Sequence, residues 1–480
     1  MQAADFQALL PLMIISATAV VVMLAIAWRR NDLLTVMLTV AGLGAAFASL
    51  GPAAEAAPRQ VTSLLIVDSY ALFYTGLIIA AAFASAVLSY GYFKKHEDRS
   101  EELYVLLLVA TLGSVVLVSS SHFASFFLGL EILSVALYAM ISYLHTKKRP
   151  LEAGIKYLVL AASSAAFLLF GMALIYADLG TMEFSRIAGL LGGGGDLALL
   201  LPGLALILTG IGFKLGVVPF HMWTPDVYEG APAPVTTYIA TVSKGAMFAL
   251  LLRYFYQSGA RNLEAVSLVV AIIAIASMFA GNLLALLQDN VKRILAYSSI
   301  AHLGYLLVAF LAAGALGLRA ATFYLVAYFV TTLGAFGVVT VLSDGERDAE
   351  GLDDYRGLFW QRPVLGGVFT AMLLSLAGIP LTAGFFGKFY IVAAGASSAI
   401  WALIIILVVT SSIGLFYYLR VIVAVFGRVS ETGAKTRAYF MPLSVADSLV
   451  LAVLTILLVW FGVYPTPLLN LIQTAIASLA

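Results

Sequence analysis

Residues 210–221 read Gly-Ile-Gly-Phe-Lys-Leu-Gly-Val-Val-Pro-Phe-His, and residues 377–390 read Ala-Gly-Ile-Pro-Leu-Thr-Ala-Gly-Phe-Phe-Gly-Lys-Phe-Tyr. Each stretch lies in an apolar run of membrane-spanning length, and each sets one lysine beside glycines and a proline. Interrupted helix at membrane depth is tolerated only where it is buried in protein or lines a wet cavity. Two broken spans in matching positions of two halves point to inverted repeats around a transport path. The competing reading is a pair of unrelated proline kinks. Gly210-Ile-Gly212 also opens like a dinucleotide fingerprint, but no strand precedes it, so that reading fails.

The rest of the chain supports a membrane setting. Of 480 residues, 62% are hydrophobic and 11% charged, and the mean hydropathy is +1.03. Soluble domains carry about 25% charged residues. A soluble core cannot absorb this much apolar surface, so the sequence predicts an all-α polytopic membrane protein. Fourteen candidate spans lie near 9–28, 33–51, 70–93, 103–119, 122–144, 155–177, 198–218, 235–256, 263–287, 293–313, 320–342, 364–394, 401–426 and 444–463. They are numbered spans 1 to 14 below. The loops between them leave no room for a soluble domain, so 1–480 is one membrane unit. Within it the expected divisions are 1–100 (spans 1–3), 101–258 (spans 4–8), 259–428 (spans 9–13) and 429–480 (span 14). The two five-helix blocks would be inverted relative to each other, with breaks in spans 7 and 12.

The first span is not a secretory signal, because no basic residue precedes it and Arg29-Arg30 follow it. Four basic residues fall in even-numbered connections: Arg59, Arg186, Arg261 and Arg319. Sixteen fall in odd-numbered ones: Arg29, Arg30, Lys94, Lys95, Arg99, Lys147, Lys148, Arg149, Lys292, Arg293, Arg347, Arg356, Arg362, Arg428, Lys435 and Arg437. In a bacterial inner membrane this asymmetry places the basic loops in the cytoplasm and both termini in the periplasm.

Six basic residues remain within spans. Lys156, Arg253 and Arg420 stand towards span ends, where they are expected to snorkel. Lys214, Lys244 and Lys388 stand deeper. Glu131 is about 14 Å along span 5, near the middle, and is the only carboxylate read at that depth. A charge there costs at least about 2.5–3.5 kcal/mol, and partners are needed to offset it. One acid and three amines together point to function more than to isolated structural pairs. Net charge is +1, which gives no reason to expect a nucleic-acid partner. Cysteine is absent and the five histidines show no metal- or haem-binding spacing, so the chain is expected to hold no cofactor or metal of its own.

Four stretches carry a family resemblance: 212–234, 290–305 (Asn-Val-Lys-Arg-Ile-Leu-Ala-Tyr-Ser-Ser-Ile-Ala-His-Leu-Gly-Tyr), 355–360 and 375–390. Together they resemble the antiporter-like membrane subunits of bacterial NADH-quinone oxidoreductase, respiratory complex I. The Thr224-Pro-Asp-Val-Tyr-Glu-Gly-Ala-Pro232 loop resembles the subunit N type within that family. The chain also stops soon after span 14, without the long lateral helix expected of subunit L. The resemblance implies a proton-translocating translocase subunit. Glu131, Lys214, Lys244 and Lys388 match its ionisable positions, and His302 matches a polar position on the central axis. Lys156, His221, Lys292 and Tyr297 sit in matching stretches with less defined roles. It further implies that FMN, iron–sulfur clusters and quinone reside in other subunits. The implied partners are subunits M and K and their neighbours, the lateral helix of subunit L, and membrane lipid.

The expected chemistry is a proton relay. For an ion pair at about 4 Å and an effective dielectric near 20, the coupling is about 4 kcal/mol. Moving Glu131 relative to Lys214 would therefore switch how firmly the lysine holds a proton. Lys244 would then pass protons towards His302 and Lys388. Two rivals stand beside this: a subunit of a multisubunit sodium/proton antiporter, and a packing subunit whose charges are structural pairs.

Overall fold

The computed structural model describes residues 2–96, 100–191, 197–312, 314–428 and 443–479. Arg99, Lys435 and Arg437 of the loop-charge reading lie outside the described residues. Among the described residues, thirteen helices are long and apolar enough to cross a membrane, and a shorter apolar helix, Pro363–Ala377, joins them. The protein is a multi-pass membrane protein, and its regular structure is helical apart from a two-stranded hairpin, Arg59–Gln60 with Ile66–Val67.

The fourteen spans are present, and span 12 accounts for the shorter helix. The expected run 364–394 is two helices, Pro363–Ala377 and Ala383–Ser397. Span 7 is likewise interrupted: Leu197–Leu215 ends, the chain turns, and Trp223–Gly230 follows. Span 6 is longer than expected and runs Lys148–Leu179, taking in residues assigned to a loop. Pro150 falls in its first turn, where a missing N–H costs the helix nothing. A short helix after span 14, Thr466–Ile476, was not expected.

Both breaks open the same way. Gly216, with φ of +71°, donates to the Phe213 carbonyl at 2.9 Å, and Val217 donates to Gly212 at 3.0 Å. Gly378, with φ of +88°, donates to Ser375 at 3.0 Å, and Ile379 donates to Leu374 at 3.0 Å. These paired bonds are Schellman caps, which need a left-handed residue and so favour glycine. Side chains from neighbours take up backbone donors freed beyond each cap. Ser277 Oγ of span 9 accepts from Val218 N at 2.9 Å, and Ser375 Oγ accepts from Gly384 N at 3.1 Å. That is how an interrupted helix survives at this depth.

Spans 8, 10 and 11 form the interior. Their most apolar windows are 100%, 94% and 100% buried, against 17% for span 1. Span 8 runs from Ala233 to Gln257 and contains a π-helical turn, Ile239–Ser243, directly before Lys244.

Arg253 is a correction to the sequence reading. It does not snorkel: the side chain is fully buried, donates to both Asp68 carboxylate oxygens at 3.0 and 2.7 Å, and donates to the Val118 carbonyl at 3.0 Å. Its guanidinium also lies over the Tyr70 ring at 4.8 Å. Asp68 precedes span 3 and was not counted as a buried carboxylate, yet it is 1% exposed. Arg420 does sit at a span end, donating to the carbonyls of Leu286 and Gln288.

Candidate functional site

The deep charges occupy one polar row through the middle of the bundle, buried at Lys214, Lys244 and His302 and half-buried at its ends, Glu131 and Lys388. It starts at Glu131 on span 5, here Phe123–Ile141. Its Oε1 is buried and has no hydrogen-bond partner. Glu131 and Lys214 do not form an ion pair among the described residues. One turn along from Glu131, Ser134 Oγ accepts from Lys214 Nζ at 2.9 Å, and Tyr157 Oη accepts from the same ammonium at 3.0 Å. Lys214 occupies the last turn of its half-helix, where the partial negative charge of the carbonyl end favours a cation. Glu131 and Lys214 are still near enough to interact electrostatically.

Lys244 lies between aromatic faces. Its Nζ is 5.8 Å from the Trp223 ring centre and 5.2 Å from that of Tyr228. Trp223 in turn packs on Tyr157 at 4.9 Å and caps the span 7 half-helix through Nε1 to the Phe213 carbonyl at 2.9 Å. Lys244 Nζ donates to Ser299 Oγ at 2.8 Å, and Ser299 Oγ is hydrogen-bonded to Tyr328 Oη at 2.7 Å. His302, one turn along span 10 from Ser299, is hydrogen-bonded through Nδ1 to Tyr324 Oη at 2.6 Å. Its Nε2 lies 3.2 Å from Tyr418 Oη, which is also bonded to Ser298.

The row closes at Lys388. Its ammonium donates to the carbonyls of Leu376 and Ala377, both at 2.9 Å, and to Ser411 Oγ at 2.7 Å. It therefore caps the first half-helix of span 12, whose last carbonyls have no partner within that helix. The Tyr305 ring lies 5.3 Å from Lys388 Nζ, and the rings of Tyr305 and His302 are 5.5 Å apart. Glu131, Lys214, Lys244, His302 and Lys388 are thus brought together as one series, with hydroxyls and aromatic faces between them.

The less defined candidates fall elsewhere. Lys156 is about half exposed and pairs with Glu152 at 2.7 Å and Asp226 at 3.2 Å. Lys292 is buried but turned to the basic-loop face, donating to the carbonyls of Glu229 and Ala231 and to Asp348 at 2.6 Å. Arg293 beside it pairs with Asp226 at 3.0 Å and Glu229 at 2.8 Å. These contacts pin the helix Trp223–Gly230, the heart of the distinctive loop, to the start of span 10. His221 is buried within the span 7 break and makes no hydrogen bond of ordinary geometry among the described residues. Tyr297 is buried in span 10, one turn from Arg293.

Sequence reading missed the hydroxyl partners. A signal for some was present: Ser298, Ser299, His302 and Tyr305 recur at helical spacing on one side of span 10, and Ser134 stands three residues after Glu131. Tyr324 and Tyr328 are likewise four apart on span 11, and Ser411 and Tyr418 seven apart on span 13, whereas Tyr157 is the only one of these hydroxyls on span 6. No cluster of three or more metal-ligating side chains occurs among the described residues.

Comparison with known proteins places this row in context. Residues 120–414 match the family described as NADH:quinone oxidoreductase/Mrp antiporter, TM. A chain of respiratory complex I from Thermus thermophilus is 33% identical, with a TM-score of 0.82, over 96% of this chain and 98% of that one. The fold is also that of a chain in an archaeal membrane-bound sulfane sulfur reductase, at 24% identity and a TM-score of 0.83, over 99% and 97% of the two chains. A chain of the Mrp complex from Dietzia sp. matches at 19% identity and a TM-score of 0.87, over 100% and 98%.

Proposed function

This chain belongs to the NADH:quinone oxidoreductase/Mrp antiporter transmembrane family, and we propose that it is the subunit N-type, proton-translocating member of a bacterial complex I membrane arm. The observation that carries the reading is the polar row from Glu131 to Lys388, in which every amine ends on a hydroxyl or a helix carbonyl. A structural ion pair would set each lysine against a carboxylate. Here the amines keep exchangeable neutral partners, and Glu131 keeps a buried oxygen without one. That is an arrangement suited to holding and handing on protons.

The two five-helix blocks are read as inverted repeats. Spans 7 and 12 break with the same Schellman cap. Glycines draw spans 4 and 5 together at Gly113 and Gly129, and spans 9 and 10 at Gly281 and Gly304, so the first two helices of each block approach closely. Spans five apart begin on opposite sides, so the breaks would face opposite compartments. Movement of Glu131 relative to Lys214 would load or release the first amine. Lys244 would pass the proton to Ser299 and Tyr328, and His302 would deliver it to Lys388. Quinone reduction in other subunits, which would hold FMN and the iron–sulfur clusters, would drive the cycle. The chain would lie in the inner membrane with both termini periplasmic, between subunits M and K, with the lateral helix of subunit L along it.

The test is pumping by the assembled complex carrying Lys214→Ala or Lys388→Ala. Loss of pumping with assembly intact supports the relay. Full pumping by both assembled variants would leave only a packing role.

A further inference from the structure

The two left-handed glycines that open the helix breaks share more than a backbone conformation. A Cβ built on Gly378 would stand 2.9 Å from Lys388 Cδ and 3.2 Å from its Nζ. A Cβ built on Gly216 would stand 3.2 Å from Lys244 Nζ and 2.4 Å from Thr224 Oγ1. In each break the missing side chain leaves the space in which an ammonium lies beside the break. The left-handed glycines Gly180, Gly259 and Gly314 have no lysine against them. Gly180, with φ of +65°, caps span 6 and would meet nothing within 4 Å.

We propose that Gly216 and Gly378 are positioning residues of the proton path, leaving room for the Lys244 ammonium beside the first break and for the Lys388 ammonium at the carbonyl end of the second. The inference rests on the proton-relay reading above and adds to it the residues that set where two of the amines sit. For Gly378 the geometry is most direct. The Lys388 ammonium reaches the Leu376 and Ala377 carbonyls, at 2.9 Å each, by passing the α-carbon of the residue that follows them. A methyl group there makes the Lys388 side chain give way by a few tenths of an ångström and so misplaces the ammonium on both acceptors. At Gly216 a methyl also meets Thr224, so that position is the less clean test.

A left-handed alanine is strained wherever it is placed, and Gly180→Ala carries that strain without a neighbouring lysine. The experiment compares Gly378→Ala, Gly180→Ala and Lys388→Ala in the assembled complex, reading protons pumped per electron and the pH profile of turnover. The expected result is a fall in pumping on the order of tenfold for Gly378→Ala, the scale of loss when a reacting group is displaced by part of an ångström. Its pH profile is displaced, while Gly180→Ala leaves both readouts as in the parent. Gly378→Ala indistinguishable from Gly180→Ala, with Lys388→Ala inactive in pumping, overturns the positioning role and leaves the relay standing. Full pumping in Lys388→Ala overturns the relay, and the positioning role with it. If Gly378→Ala does not assemble, the pair Gly378→Ala/Lys388→Ala decides. Assembly regained on removing the lysine upholds the clash, and continued failure overturns it.

Discussion

Lys244 on span 8 donates to Ser299 on span 10 at 2.8 Å, and this hydrogen bond ties two of the most deeply buried helices together at the centre of the protein. The serine hydroxyl is also bonded to Tyr328, so one oxygen serves an amine from span 8 and a phenol from span 11. Ser299→Ala is expected to lower proton pumping by about tenfold or more while the complex still assembles, since one buried hydrogen bond to a charged group contributes about 1.5–3 kcal/mol and about 1.4 kcal/mol is a factor of ten. Ser299→Thr keeps the hydroxyl and most of the activity. Proton-to-electron ratios of the two variants check this, and equal loss in both would point to packing instead.

Glu131→Gln is expected to lower both pumping and quinone-reductase turnover with the complex assembled. Among the described residues Glu131 makes no ion pair whose loss would unfold the bundle, and its Oε1 has no hydrogen-bond partner. The amide keeps the shape and removes the charge that acts on Lys214. Normal pumping in an assembled Glu131→Gln complex would remove the carboxylate from the switch.

Arg253 and Asp68 are expected to behave in the opposite way. Both are buried and bonded to each other at two points. Removing one partner leaves an unpaired buried charge, at a cost of about 3–5 kcal/mol. Arg253→Met should therefore cut the yield of assembled complex sharply, and what does assemble should pump at the parent's proton-to-electron ratio. Thermal stability and yield of the purified complex measure the first, and a changed ratio would show that the pair takes part in transport.

A pH effect is expected at the N-terminal hairpin. Asp5 lies in the short helix before span 1, and its hydrogen bond from Arg59 holds the carboxyl below the usual carboxylate range. A carboxyl lowered by folding stabilises above its unfolded value, about 3.9, and that contribution is lost as pH falls through the lower folded value. Hydrogen exchange across Arg59–Val67, corrected for intrinsic rates, should stay protected from neutral pH to about pH 5 and weaken only on further acidification. Asp5→Asn should abolish this acid dependence, and a loss of protection already at neutral pH in the parent would refute the assignment.

The class, the number of spans and the places where two of them break can be read from the chain alone. These are local quantities. A hydropathy window needs only its own residues, and Gly210–His221 and Gly378–Gly387 announce their breaks through glycine and proline alone. Which polar groups meet is a property of the packed bundle. Lys244 finds Ser299 across 55 residues, Arg253 finds Asp68 across 185, and Lys292 turns to the basic-loop face although it shares a helix with His302. A hydropathy score treats each side chain alone, whereas a hydrogen bond depends on how two helices are rotated and how closely they pack. That rotation is set by every contact along both helices, so Arg253 could be placed near a span end from the sequence, but its buried partner could not.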